Sequence, residues 1–151
     1  MSTLANKALA LALADEGKAE LPRGSNWGKY VQNLLSNVGI NFAAPWCVAF
    51  VYSKFKDAAD SLGVYNPVYK TGGVLKLWQQ AINARVKVPQ VGDVFIMDFG
   101  KGTGHTGFVC SVDGEYIHTI EGNTNDEGSR EGYEVARRTR KIKDITGFLR
   151  F

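Results

Sequence analysis

The hydrophobic period of this chain changes at Pro89, and that change limits the folds open to it. Up to that point apolar residues recur at helical spacing. Leu4 to Glu16 is rich in Ala and Leu, both strong helix formers, and Gly17 is placed to stop it. Tyr30, Val31, Leu34, Leu35 and Val38 mark a second helix, closed by Gly39. Cys47, Phe50, Val51, Ala58 and Leu62 keep roughly to one face of a third, ended by Gly63. Val74, Leu75, Leu77, Trp78, Ala81 and Ile82 give a fourth. Beyond Pro89 the pattern alternates. Asp93 to Asp98, Thr106 to Val112, Glu115 to Ile120, Glu134 to Lys141 and Thr146 to Phe151 read as strands. Lys101-Gly102-Thr103-Gly104 is a tight loop, and Asp113-Gly114 is a hairpin signal. Helices first and antiparallel strands second predict an α+β domain, with the N-terminal helices packed on the sheet. At 151 residues, with no repeat and no linker, residues 1–151 are expected to form a single domain.

Within the helical half, Ala44-Pro45-Trp46-Cys47-Val48 sets one of only two cysteines at the start of a buried helix. Helix N-termini present free N–H groups and partial positive charge, which favour an anion. A thiolate there is a usable nucleophile. The plainer alternative is a cysteine that fills the core. Cys110, inside a strand, is most simply a core residue. The two cysteines are too few and too far apart for a disulfide framework, although they could pair with each other.

Only two histidines exist. His105 follows Gly104 at the mouth of a strand, where an imidazole can reach a ligand. His118 lies mid-strand and reads as structural. Glu121-Gly122-Asn123 falls where the next strand ends. These are the ingredients of Cys–His–carboxylate catalysis. Cys47 would attack a carbonyl carbon, His105 would shuttle the proton, and Glu121 would orient the imidazole. The Cys47 N–H could stabilise the oxyanion. Zinc is the rival use of Cys and His, but the short ligand pairs that zinc sites use are absent.

At these residues the sequence resembles a CHAP domain, the cysteine, histidine-dependent amidohydrolase/peptidases of the NlpC/P60 superfamily. The resemblance is carried by Pro45 to Val51, by Gly104 to Val109 and by Ile120 to Asn125. Pro89-Gln90-Val91-Gly92-Asp93-Val94 is similar to the family's Pro-x-x-Gly-Asp lead into the strand before the histidine. Gly24-Ser25-Asn26, Thr71 to Val74, Gly128 to Gly132 and Gly147 to Phe151 are similar to members from phages and cell-wall lysis genes. The resemblance implies a papain-like fold and hydrolysis of an amide bond in peptidoglycan, by an endopeptidase or an N-acetylmuramoyl-L-alanine amidase. It carries nucleophile, base and acidic orienter onto Cys47, His105 and Glu121, and the family's adjacent asparagine onto Asn123. Some phage members bind calcium through acidic residues just upstream of the cysteine. Leu21 to Lys56 contains no Asp or Glu, so no metal or other cofactor is expected.

The expected partner is therefore bacterial peptidoglycan, met by the catalytic face of a monomer. Trp46, Trp78 and the Gly102 to Gly104 loop are candidates for lining the groove. The alternative is core packing for the tryptophans and a simple turn for the loop. A net charge of +3 is mild and does not imply nucleic acid. The Arg137 to Lys141 run reads as the solvated face of a strand, because no aromatic stacking platform accompanies it. The Ala8 to Ala14 run is followed at once by Asp15, Glu16 and Lys18, and nothing reaches membrane-spanning length. The expectation is a soluble protein made in the cytoplasm without its own export signal, acting on the wall after release or delivery. A phage endolysin is the first reading. An interbacterial toxin with an immunity protein, or a non-catalytic wall-binding module, are the alternatives.

Side-chain parity adds one requirement. A regular two-residue hairpin at Asp113-Gly114 would set Val112 opposite Glu115 and point Glu121 away from His105. A three-residue loop, Val112-Asp113-Gly114, would set His105 opposite Glu121, with Asn123 on the same face. An odd-length loop or an equivalent bulge is therefore expected between His105 and Glu121.

Overall fold

The computed structural model describes residues 2–124 and 132–151. Four α-helices come first: α1 (Thr3–Ala14), α2 (Lys29–Asn37), α3 (Cys47–Leu62) and α4 (Val74–Gln80). The strands follow as β1 (Arg85–Val86), β2 (Val94–Gly100), β3 (Thr103–Asp113), β4 (Tyr116–Thr124), β5 (Glu134–Lys141) and β6 (Gly147–Leu149). Among the described residues they form one antiparallel sheet in the order β1-β6-β2-β3-β4-β5. The fold is α+β, as the change of period at Pro89 predicts. Asn125 and residues 128–131, which carry part of the sequence resemblance, lie outside the described residues.

The main core fills the space between helices and sheet. Val48, Phe50, Val51 and Phe55 of α3 pack with Val94, Ile96, Phe108, Ile120 and Leu149, and Ala5, Ala8 and Ala12 of α1 close the far side. Phe108 is gripped by an edge-on contact with Phe50 and a stacked one with Phe55. A smaller cluster of Phe95, Val109, Ile117 and Phe148 covers the other face of the sheet. Strand alternation puts His105 and Glu121 on that second face, in phase with Phe95, Val109 and Ile117.

The Pro-x-x-Gly-Asp lead into β2 has a physical cause. Asp93 is buried, accepts the Gln90 N–H at 2.8 Å, and receives a two-pronged bond from Arg150, with both contacts at 2.9 Å. One carboxylate thus ties the start of β2 to the end of the chain.

The β3–β4 hairpin meets the parity requirement by the bulge and not by the loop length. Asp113 pairs with Tyr116, so the loop is the two residues Gly114 and Glu115. Gly114 has φ 58, the positive value that the first central residue of a type II′ turn needs. The turn therefore lies one residue later than Asp113-Gly114. The register shifts between Val109 and Ser111, which makes Cys110 the extra residue of a β-bulge. Without it, Glu121 would turn to the helix side of the sheet.

Close approach of α3 to β4 depends on Gly122. A methyl group there would lie 2.8 Å from atoms of Phe50 and Trp46. Gly122→Ala should therefore cost about 1–3 kcal/mol, the usual range for overpacking a core. Urea unfolding measures it, and unchanged stability would mean that α3 does not seat against β4 this closely.

Candidate active site

Cys47 is the first residue of α3, preceded by Trp46 with non-helical φ and ψ of −124° and 17°. As the first helical residue, its N–H has no carbonyl one turn back to bond within the helix. Gly63, left-handed at φ 67, ends the same helix. Cys47 lines a cleft of about 160 Å³ together with Ile40, Ala44, Pro45, Gly73, Val74 and Gly104. Gly104 is needed for its smallness, since a Cβ there would stand 2.4 Å from the Met97 carbonyl and 3.0 Å from Val74.

The β3–β4 ladder stops at the Phe108–Ile120 pair, so His105 and Glu121 lie where the two strands no longer pair. His105 Nε2 donates to Glu121 Oε1 at 2.8 Å. Gly107 keeps the path clear, because a Cβ there would come within 2.8 Å of the Glu121 side chain. With Nε2 engaged, Nδ1 is the nitrogen left for the sulfur. It is buried without a partner of full hydrogen-bond geometry, yet the Cys47 side chain acts on the ring. Catalytic bonds of this kind are often long before substrate binds.

Glu121 is fully buried and accepts four bonds. Besides His105, Thr119 Oγ1 donates to Oε2 at 2.6 Å, and Arg140 donates from Nε to Oε2 and from Nη2 to Oε1, both at 2.6 Å. Burial works against the carboxylate, but the Arg140 fork and the His105 bond outweigh it and hold the carboxyl at about 2. Burial likewise works against a charged imidazole. Cys47 and Glu121 outweigh it and raise His105 to about 9. The ring thus carries its proton at neutral pH.

Asn123, expected on the same face as Glu121, is turned elsewhere. Its backbone is left-handed at φ 61, which takes it out of strand alternation. Its Oδ1 accepts the Trp46 N–H at 2.8 Å, and its Nδ2 donates to the Gly132 carbonyl at 2.5 Å. It steadies the residue before Cys47 and does not touch His105.

The tryptophans follow the core-packing alternative. Trp46 is fully buried, its indole N–H donating to the buried Glu20 at 2.9 Å, so it offers the cleft no surface. Trp78, one turn along α4 from the cleft-wall Val74, covers Gly147 and carries the Arg85 guanidinium 4.0 Å above its ring. Of the three groove candidates, the structure places the Gly102 to Gly104 loop alone in the wall. His118 sits at the surface, bonded to Thr139 at 2.9 Å. Cys47 and Cys110 are both free thiols. Sequence reasoning missed Arg140, taken for part of a solvated strand face. Pairing with Ile117 puts it on the His105 face, and that pairing was the signal required to find it.

A sequence profile of the CHAP domain matches residues 39–123, from the end of α2 through Asn123. The chain belongs to the CHAP domain family. Its fold is shared with solved structures. One is the wild-type endolysin LysIME-EF1, at 18% identity and a TM-score of 0.59, over 99% of this chain and 64% of that one. Another is Ly7917 with the hydrolyzing product of MDP, at 17% identity and a TM-score of 0.54, over 97% and 62%. This CHAP chain thus spans less than two thirds of the length of either neighbour. No curated protein sequence gives a significant match.

Two outcomes follow from the charges of the site. His105 holds its proton more tightly folded, at about 9, than at its ordinary 6.5. Its stabilisation is complete below 6.5 and is lost as pH rises through about 9. Glu121, depressed from 4.5 to about 2, stabilises above 4.5 and loses that contribution as pH falls toward 2. The thermal midpoint should peak at about pH 5 to 6, and His105→Gln should flatten the alkaline side. A midpoint that keeps rising past pH 9 in the wild type would contradict the charged pair. Separately, burial pushes the Cys110 thiol up to about 11. Iodoacetamide at pH 8 should modify Cys47 at least about tenfold faster than Cys110 by peptide mass spectrometry.

Proposed function

We propose that this CHAP domain is a cysteine peptidoglycan hydrolase that cleaves an amide bond of the wall peptide through a thioester. The observation that supports it most is the buried His105–Glu121 pair beside Cys47 at the head of α3. Cys47 attacks the carbonyl carbon as the thiolate. The oxygen gathers negative charge at the helix start, where the Cys47 N–H is free to donate. His105 passes its Nδ1 proton to the leaving nitrogen, the C–N bond breaks, and the amine departs. A water then gives its proton back to His105 and attacks the thioester, which releases the acid and restores the thiolate. Glu121 stays ionised throughout and holds Nε2.

The cleft is small and walled largely by small residues, Ala44, Pro45, Gly72, Gly73, Gly102 and Gly104. Such a wall suits an extended peptide stem with small side chains. Membership of the CHAP family and the fold shared with the endolysin LysIME-EF1 support a role in wall lysis. The hydrolysis product held by Ly7917 fits the same class of chemistry.

Purified protein should solubilise peptidoglycan, and mass spectrometry of the released fragments identifies the bond. A new amino terminus within the stem or cross-link means endopeptidase, and free lactyl muramic acid means amidase. Cys47→Ala and His105→Ala should lower the rate by a factor on the order of a thousand or more while the fold persists. His118→Ala should stay within about twofold, because its partners lie outside the cleft. Binding of wall without any new amino group would leave a wall-binding module and overturn the hydrolase reading.

A further inference from the structure

We propose that Arg140 is a positioning residue of this site: its guanidinium fixes the Glu121 carboxylate so that one oxygen faces His105 Nε2. The inference deepens the hydrolase reading and rests on it for its catalytic meaning. The geometry stands by itself. Arg140 reaches Glu121 with two parallel N–H bonds of 2.6 Å, the planar fork that guanidinium and carboxylate form together. Its side chain is 13% exposed and that of Glu121 is not exposed at all. The guanidinium also lies over the Phe95 ring, 5.5 Å from its centroid, and the same ring stands 6.0 Å from the His105 imidazole. Phe95 thus limits the sideways freedom of both cations. Thr119 Oγ1 takes the second lone pair of Oε2, which leaves the carboxylate one orientation.

A buried carboxylate without a cation tends to take up a proton. If Glu121 did so, Nε2 would face a neutral, weaker acceptor and the imidazole would be held less firmly in one orientation. The charged or titratable groups facing Glu121 are His105 from β3 and Arg140 from β5. Cys110 of β3 also feels its charge and stays neutral. Those facing His105 are Cys47 from α3 and Glu121 from β4, while β2 offers the uncharged ring of Phe95. His105 itself is a charged neighbour only while it keeps its proton, so Arg140 is the permanent cation of the group. Lysine could replace the charge and could not replace the fork. Arg140 is absent from the cleft wall, so it acts on the chemistry and not on substrate binding.

The test reads the pH dependence of Cys47 alkylation by iodoacetamide, followed by peptide mass spectrometry in the full chain. It needs no substrate, so it remains decisive even if peptidoglycan is not cut. In Arg140→Met the acid edge of the profile should move up by on the order of one pH unit, and in Arg140→Lys by less. In a Glu121→Gln background, Arg140→Met should add no further shift, because the residue acts through Glu121 alone. On peptidoglycan, kcat should fall about tenfold or more in Arg140→Met with KM within about twofold. An Arg140→Lys or Arg140→Met profile that superimposes on the wild type overturns the proposal. So does an equal shift with and without Glu121. Loss of wall hydrolysis in the wild type, with these alkylation shifts intact, would count against the hydrolase reading and leave Arg140 in place.

Discussion

A carboxylate with no solvent must be surrounded by donors or it will not stay charged. Glu121 is that carboxylate, and much of the sheet around it is arranged to supply those donors. His105 comes from one neighbouring strand and Arg140 from the other, and Thr119 comes from two residues back on its own. Gly107 is bare so that the Glu121 stem can cross β3. The Cys110 bulge sets the parity that sends the side chain to this face at all. Together with Cys47, the same carboxylate strengthens the hold of His105 on its proton. Structure and chemistry here are one electrostatic arrangement, in which three strands each contribute a group.

Cys47 approaches from the other layer. Its position rests on small residues, since Gly122 admits the first turn of α3 against β4 and Gly104 opens the cleft above the sulfur. Asn123 adds a polar tie between β4 and the residue before Cys47. Its left-handed backbone is the local strain that makes the tie reach, in a conformation that asparagine tolerates better than most residues.

Helices, strands and the two leading catalytic candidates were legible in the sequence because each had a local signature. The period change at Pro89 separated the α-helices from every strand but the two-residue β1, Gly63 marked the end of α3, and Cys47 opened an apolar helical run. Parity alone demanded an irregularity between His105 and Glu121, although it could not say that Cys110 would provide it. What stayed hidden depended on pairing across distance. Arg140 looks like any basic strand residue until β5 is laid beside β4 with Arg140 opposite Ile117. Trp46 looks like a groove aromatic until Glu20, 26 residues earlier, is seen holding its indole N–H. Asn123 obeyed parity on paper and escaped it through one positive φ.

The bulge at Cys110 also divides the β3–β4 hairpin into two parts with separate tolerances. The inner part, toward Phe108 and Ile120, is committed to aiming His105 and Glu121. The outer part, from Ser111 to His118, ends in a tight turn at Gly114 and Glu115, with Val112 and Tyr116 partly open to solvent. Extra residues inserted at that tip lengthen the turn without altering the alternation of the inner part, whereas deletion of Cys110 would reverse it. The tip is accordingly a natural splice point, where a lineage or an engineer could graft a loop or a second module onto this hairpin without rewriting its chemistry.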